Sequence, residues 1–172
     1  MATNNYARWV GNVDGAPEPF IMLGSFQAGS TQAIKAGEIL EFTGDTNTDW
    51  VPIDSDFSQD SNVAIANEEI KAGDLAGYYE IIVPRPGDMF EYDLATAAAT
   101  AVGQALTYSS SEAVTTGGSY PLGYAAGQQH YPQKQVHLAD GNIGDMGTTI
   151  KSQSTVIMCF KASVSVYSLF VV

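Results

Sequence analysis

Few residues in this chain have intrinsic reactivity. Cys159 is the single cysteine, and His130 and His137 are the two histidines in 172 residues. Covalent catalysis needs a nucleophile beside a base, and a structural zinc needs four thiolate or imidazole ligands brought together. Cys159 lies inside the apolar run VIMCF (156–160), where a thiol is expected to be a buried packing group rather than a nucleophile. One cysteine forms no internal disulfide, and with two histidines it does not complete a standard zinc site. His130 and His137 stand seven apart in a Gln- and Gly-rich stretch with Asp140 as the nearby acid, a setting for a loop or interface role. Neither the phosphate-binding glycine loop nor the dinucleotide fingerprint is present. Carboxylates are abundant, yet no pair stands apart as a glycosidase couple. Asp45, Asn47 and Asp49 match the first three ligand positions of a calcium loop, with Asp54, Asp56 and Asp60 following. Position six, however, is Trp50 where that loop needs glycine, and position twelve is Asp56 where it needs glutamate. Asn, Asp and Thr are equally turn residues, and the turn reading is preferred. The expectation is a protein that is not an enzyme, with no catalytic residue, no cofactor and no metal.

The elements that would position these side chains belong to an acidic chain. Nineteen acids face seven bases, for a net charge of −12 and a pI near 4.2. Binding a phosphate backbone depends on Lys and Arg displacing counterions, so nucleic acid is disfavoured as a partner, and so is an anionic membrane surface. No run reaches the 18 or so apolar residues of a membrane span, and the N-terminal residues lack the apolar core of a signal peptide. Synthesis in the cytoplasm is expected. With 45% hydrophobic residues the chain has enough apolar surface to fold. The acidity is concentrated: 38–93 holds 14 acids against Lys71 and Arg85, and both flanks sum to zero. The polar positions of 38–93 are expected to face water, and the weakly charged flanks to meet protein.

The chain reads as β. Seventeen glycines and seven prolines break it into apolar stretches too short for amphipathic helices. Strands are predicted at 38–43, 63–66, 78–83, 88–93 and 105–108. One short helix is predicted at 94–102, Ala-rich, with Asp93 as N-cap and Gly103 as stop. Residues 109–121 and 126–148 read as long loops, the second with room for a short hairpin. Three segments share a pattern: GEILEF at 37–42, GDMFEY at 87–92 and GQALTY at 103–108. Glycine supplies a tight turn, and apolar residues three and five positions on share one face of the strand that follows. IKAG at 34–37 is echoed by IKAG at 70–73. Such short strands entered through glycine turns suit a small barrel or sandwich. From Val156 to Val172 the even positions are apolar except Ser168, a long C-terminal β region whose end must be buried.

The segments AGEIL (36–40), NVAIA (62–66), IKAGD (70–74), PGD (86–88), VGQALTY (102–108) and LGYA (122–125) give residues 33–126 a pattern that resembles the capsid decoration, or cement, proteins of tailed bacteriophages. The resemblance implies a small all-β barrel, often trimeric, seated on the outer surface of the virion with the major capsid protein as partner. This chain departs from the pattern in its long segment before Gly37 and its insertion at 126–148.

The division expected on this reading is an extended N-terminal arm over 1–30 and a β-barrel decoration domain over 31–172. Pro17 and Pro19 exclude a regular helix or central strand around them. Tyr6, Trp9, Phe20, Met22, Leu23 and Phe26 are the expected arm contacts to the capsid or a neighbouring subunit. Tyr167, Leu169, Phe170, Val171 and Val172 are the expected interface of a homotrimer. The alternative reading is a carbohydrate-binding or fibre-like receptor module of a virion, in which some of the nine Tyr and two Trp stack on sugars.

Overall fold

The computed structural model describes residues 7–26, 33–45, 48–53, 62–71, 77–98, 100–118, 120–127, 136–137, 143–144 and 153–161. Every regular element among them is a strand: β1 (Arg8–Asn12), β2 (Ile21–Phe26), β3 (Ile39–Asp45), β4 (Thr48–Pro52), β5 (Asn62–Ala66), β6 (Gly77–Ile82), β7 (Asp88–Ala98), β8 (Ala105–Ser110), β9 (Ala113–Thr116), β10 (Pro121–Gly127), β11 (Val136–His137), β12 (Ile143–Gly144) and β13 (Gln153–Phe160). They close two five-stranded barrels where the sequence suggested one. The first runs β2-β4-β3-β5-β6 and back to β2. The second runs β7-β13-β10-β8-β9 and back to β7, with β1 added outside β7.

The two barrels share one connectivity. In each, the first strand pairs parallel with the third, and the third, second, fourth and fifth strands follow antiparallel until the fifth returns to the first. The match reaches single hydrogen bonds. The N–H of Gly37 donates to Ala66 O and that of Gly103 to Ala125 O, both at 2.7 Å. Ala66 N–H donates to Glu38 O at 3.0 Å, and Ala125 N–H to Gln104 O at 2.9 Å. GEILEF and GQALTY are therefore the same turn and strand in two barrels. Gly37 and Gly103 hold φ of +89° and +84°, the left-handed region where only glycine avoids strain, and Gly87 does the same at +83°. The two IKAG segments meet instead within one barrel, where Ile34 and Ile70 exchange backbone bonds of 2.9 and 2.8 Å.

Three sequence expectations change. The helix at 94–102 is absent: residues 94–98 continue β7, held by Leu94 opposite Val114 and Ala98 opposite Gln153. Pairing on both edges overrides the modest helix preference of alanine in so short a segment. The loop at 109–121 is a tight hairpin, because Val114 and its Thr neighbours form β9 and bury Val114 completely. Nor do residues 8–26 form an arm outside the barrel. β1 pairs with β7 and β2 with β6, and Val13–Gly87 and Val83–Phe20 backbone bonds join the two ladders into one antiparallel ribbon crossing both barrels. Pro17 and Pro19 fall in the connection between β1 and β2, where a missing N–H costs no ladder bond.

The core is built on that ribbon. Leu40, Trp50, Ala64, Ala66, Ile81 and Val83 pack inside the first barrel. The alternate residues Ile39, Val63, Ile65 and Ile82 point the other way and join Phe90, Tyr92, Leu106, Leu122, Val156 and Met158 in one continuous cluster with the second barrel. β5 is therefore apolar on both faces, as a doubly covered strand must be. Each large aliphatic side chain fully buried there contributes about 1.5–3 kcal/mol.

Candidate docking face

β2 alternates cleanly. Met22, Gly24 and Phe26 turn inward, and Ile21 and Leu23 turn to solvent at 43% and 61% exposure. Gly24 is required by packing: a Cβ there would stand 2.7 Å from Trp50 Cδ1 and 2.9 Å from Ile81 Cδ1. Phe26 is buried edge-on to Tyr79, with ring centroids 5.9 Å apart. The inward residues thus fix the strand and force its odd positions outward. On β6 the matching outward residue is Tyr78, opposite Ser25 and 75% exposed, diagonal to Leu23. Ile21 and Leu23, on a strand without a charged residue (FIMLGSF over 20–26), and Tyr78 on β6 form an exposed apolar patch, bordered by the exposed Glu80 directly opposite Leu23.

The side of β2 away from β6 adds to the patch. β2 is laddered to β6 along its whole length, but on its other side it is paired only at Phe26, opposite Trp50, among the described residues. By register, residues 21–23 of β2 correspond to residues 89–91 of β7. That sister edge is covered by β1, with Trp9 opposite Phe90 and Arg8 opposite Glu91. The same barrel edge accepts a strand in one half of the molecule and presents apolar side chains in the other.

Of the expected arm contacts, Leu23 alone is placed on this patch. Phe20 and Met22 pack on the first core, Phe26 is inside it, and Trp9 packs on the second. Trp9 Nε1 also donates to Asp88 Oδ1 at 3.1 Å. Tyr6 and the expected trimer residues Tyr167, Leu169, Phe170, Val171 and Val172 lie outside the described residues. Ile21 and Tyr78 were missed by sequence reading. The Ile21/Leu23 alternation was the available signal for the first, whereas Tyr78 becomes outward only through its register with β2.

Two acids expected at the surface are buried instead. Asp88, 1% exposed, accepts from Arg85 N, Nε and Nη2 at 2.9–3.1 Å, from Asn12 Nδ2 at 2.9 Å and from Trp9 Nε1. Burial would raise its carboxyl, but the bonds from Arg85, Asn12 and Trp9 outweigh burial and hold it below its ordinary value. This knot ties β1 to the connection between the barrels, and Arg85 Nη2 also reaches Glu18 O. Glu38 is 5% exposed at the contact between barrels. The exposed acids Glu68, Glu69 and Glu80 do face water.

Cys159 is half-buried on β13, where burial and then the charge of Asp88 push its thiol up, away from the thiolate. His137 lies on β11 in a two-residue ladder with β12, and His130 lies outside the described residues. Asp45 and Thr48 are paired across the β3–β4 hairpin and 48–52 runs on as a strand, while Asn47, Asp54, Asp56 and Asp60 lie outside the described residues. Among the described residues no three His, Cys, Asp or Glu side chains gather to hold a metal. No protein-family model, curated protein or solved structure matches this chain.

Proposed function

We propose that the chain is a non-enzymatic structural protein that coats the outside of a tailed-phage capsid as a symmetric oligomer, a homotrimer, and stabilises the head. The observation that carries the docking part of this reading is the uncharged β2 edge with Ile21, Leu23 and Tyr78 exposed beside it. An apolar edge strand with no charged residue of its own favours pairing with another chain, Glu80 of β6 being the one charge directly opposite it among the described residues. The sister edge in the second barrel already holds an antiparallel strand, which supports strand addition as the mode of binding. The partner on this reading is an extended segment of the major capsid protein, laid antiparallel along residues 21–25. The capsid assignment itself rests on the turn-and-strand pattern of residues 33–126. The surface acids suit an outer position, since they repel neighbouring virions and have no use for DNA.

Co-sedimentation with heads stripped of this protein tests the reading. The wild-type chain is expected to pellet with heads and raise their melting temperature, and Leu23→Asp to lose both effects while keeping its β spectrum. Equal binding by Leu23→Asp would remove the docking face from the account. Binding to glycans by the free protein, with no binding to heads, would favour the receptor-module reading.

A further inference from the structure

Where the two barrels touch, Ile39 at the start of β3 donates its N–H to Ser111 O in the β8–β9 turn at 2.8 Å. The preceding residue, Glu38, is turned inward there and faces Glu112 of the same turn. The Glu38 carboxyl lies within hydrogen-bonding reach of the backbone N–H of Lys35 and of the Glu112 carboxyl. Lys35 Nζ donates to Glu112 Oε1 at 2.9 Å, with both side chains close to half exposed. Two carboxylates have only acceptor oxygens, so a hydrogen bond between them requires a proton on one. The buried Glu38 is the natural holder, and Glu112, already accepting from Lys35, takes the acceptor role. Lys35 and Glu112 are the charged groups that face Glu38 among the described residues; the bonds from Ala66 N–H to Glu38 O and from Ala7 N–H to Gly37 O involve backbone alone.

The sister barrel supplies a control inside the molecule. Gln104 occupies the position of Glu38, and its Oε1 accepts from Ala101 N–H at 3.0 Å, where Glu38 lies within reach of Lys35 N–H. A neutral amide therefore satisfies the turn, and the acid in the first barrel adds something the fold does not need. We propose that the Glu38–Glu112 pair is a proton-dependent fastener between the two barrels, closed while it holds one proton and loosened by mutual repulsion when that proton leaves.

Burial, and then the charge of Glu112, push the Glu38 carboxyl up to about 7 from an ordinary 4.5, against the opposing backbone bond and charge of Lys35. Because the folded value lies above the unfolded one, the contribution of this group is complete below about 4.5. It is lost as pH rises through about 7. Acid therefore tightens the contact and alkali loosens it.

The test is the melting temperature of the full chain between pH 4 and 9, together with site-resolved amide exchange and a carboxyl NMR titration of the wild type. The wild type is expected to lose several degrees between about pH 5 and 8, with the Glu38 carboxyl titrating near neutrality. After correction for intrinsic chemistry, the Ile39 amide should exchange faster over the same range. Glu38→Gln, a residue already accommodated at the sister position, should flatten both profiles, and Glu112→Gln should weaken the pH dependence. A Glu38 titration at the ordinary glutamate value, or a Glu38→Gln profile with the same pH dependence as the wild type, would overturn the proposal.

Discussion

The two barrels differ most where they are most alike in backbone. Register places Gly24 of β2 at the position of Tyr92 of β7, and Trp50 of β4 at that of Val114 of β9. In the first barrel the third strand fills the interior with an indole and the first strand makes room with a glycine. In the second barrel the first strand supplies the large ring and the third a small aliphatic. Both interiors are closed, since Tyr92 and Val114 are fully buried and Trp50 is 4% exposed. Connectivity and turn bonds are thus shared, while interior volume is supplied from opposite sides. Close packing demands that the volume be filled but does not dictate which strand fills it.

Substitutions that break this exchange should have the largest effects. Trp50→Val removes the large ring from the first barrel with nothing to replace it and is expected to cost about 3–5 kcal/mol, read by chemical denaturation. Adding Gly24→Tyr copies the second barrel into the first, and the double variant should melt above Trp50→Val alone. If it melts lower still, the barrels are not interchangeable at this layer. Asp88→Ala, which removes the carboxylate that accepts three Arg85 bonds in the tie between barrels, should also cost about 3–5 kcal/mol. Because Asp88 is held below its ordinary value of 3.8, its contribution is present at neutral pH and falls away as pH drops through the folded value. Asp88→Asn should therefore reduce the acid sensitivity of stability.

Gly24→Ala is a smaller intrusion, one methyl against Trp50 and Ile81, and is expected to cost about 1–3 kcal/mol. Tyr92→Phe should have the smallest effect of the series. The Tyr92 hydroxyl is buried with no hydrogen-bond partner among the described residues, so its removal should be neutral or stabilise by up to about 1 kcal/mol. A loss of more than that would reveal a partner for the hydroxyl and a polar feature peculiar to the second barrel.

The same exchange explains what was legible in the sequence. Glycine turns leave a local signature, because a left-handed residue is followed at fixed spacing by inward side chains. GEILEF and GQALTY were visible for that reason, and the strands at 38–43, 63–66, 78–83, 88–93 and 105–108 all lie within or beside observed ones. The repeat of whole barrels was not legible, since Gly24 against Tyr92 and Trp50 against Val114 share no residue type. Residues 94–98 misread as helix because their strand character comes from β9 and β13, both distant in sequence. The candidate face was half visible. Leu23 was expected to make contacts, but Phe20, Met22 and Phe26 carry the same apolar signal and serve the core, and only register separates them.

The central claim is that the first barrel binds through the edge whose sister is already filled in the second. Amide hydrogen exchange of the head-bound protein against the free protein tests it most directly. Binding should protect residues 21–25 and 77–80, with little change at 88–91, which β1 already covers. Unchanged exchange at 21–25, with protection confined to the second barrel, would contradict it.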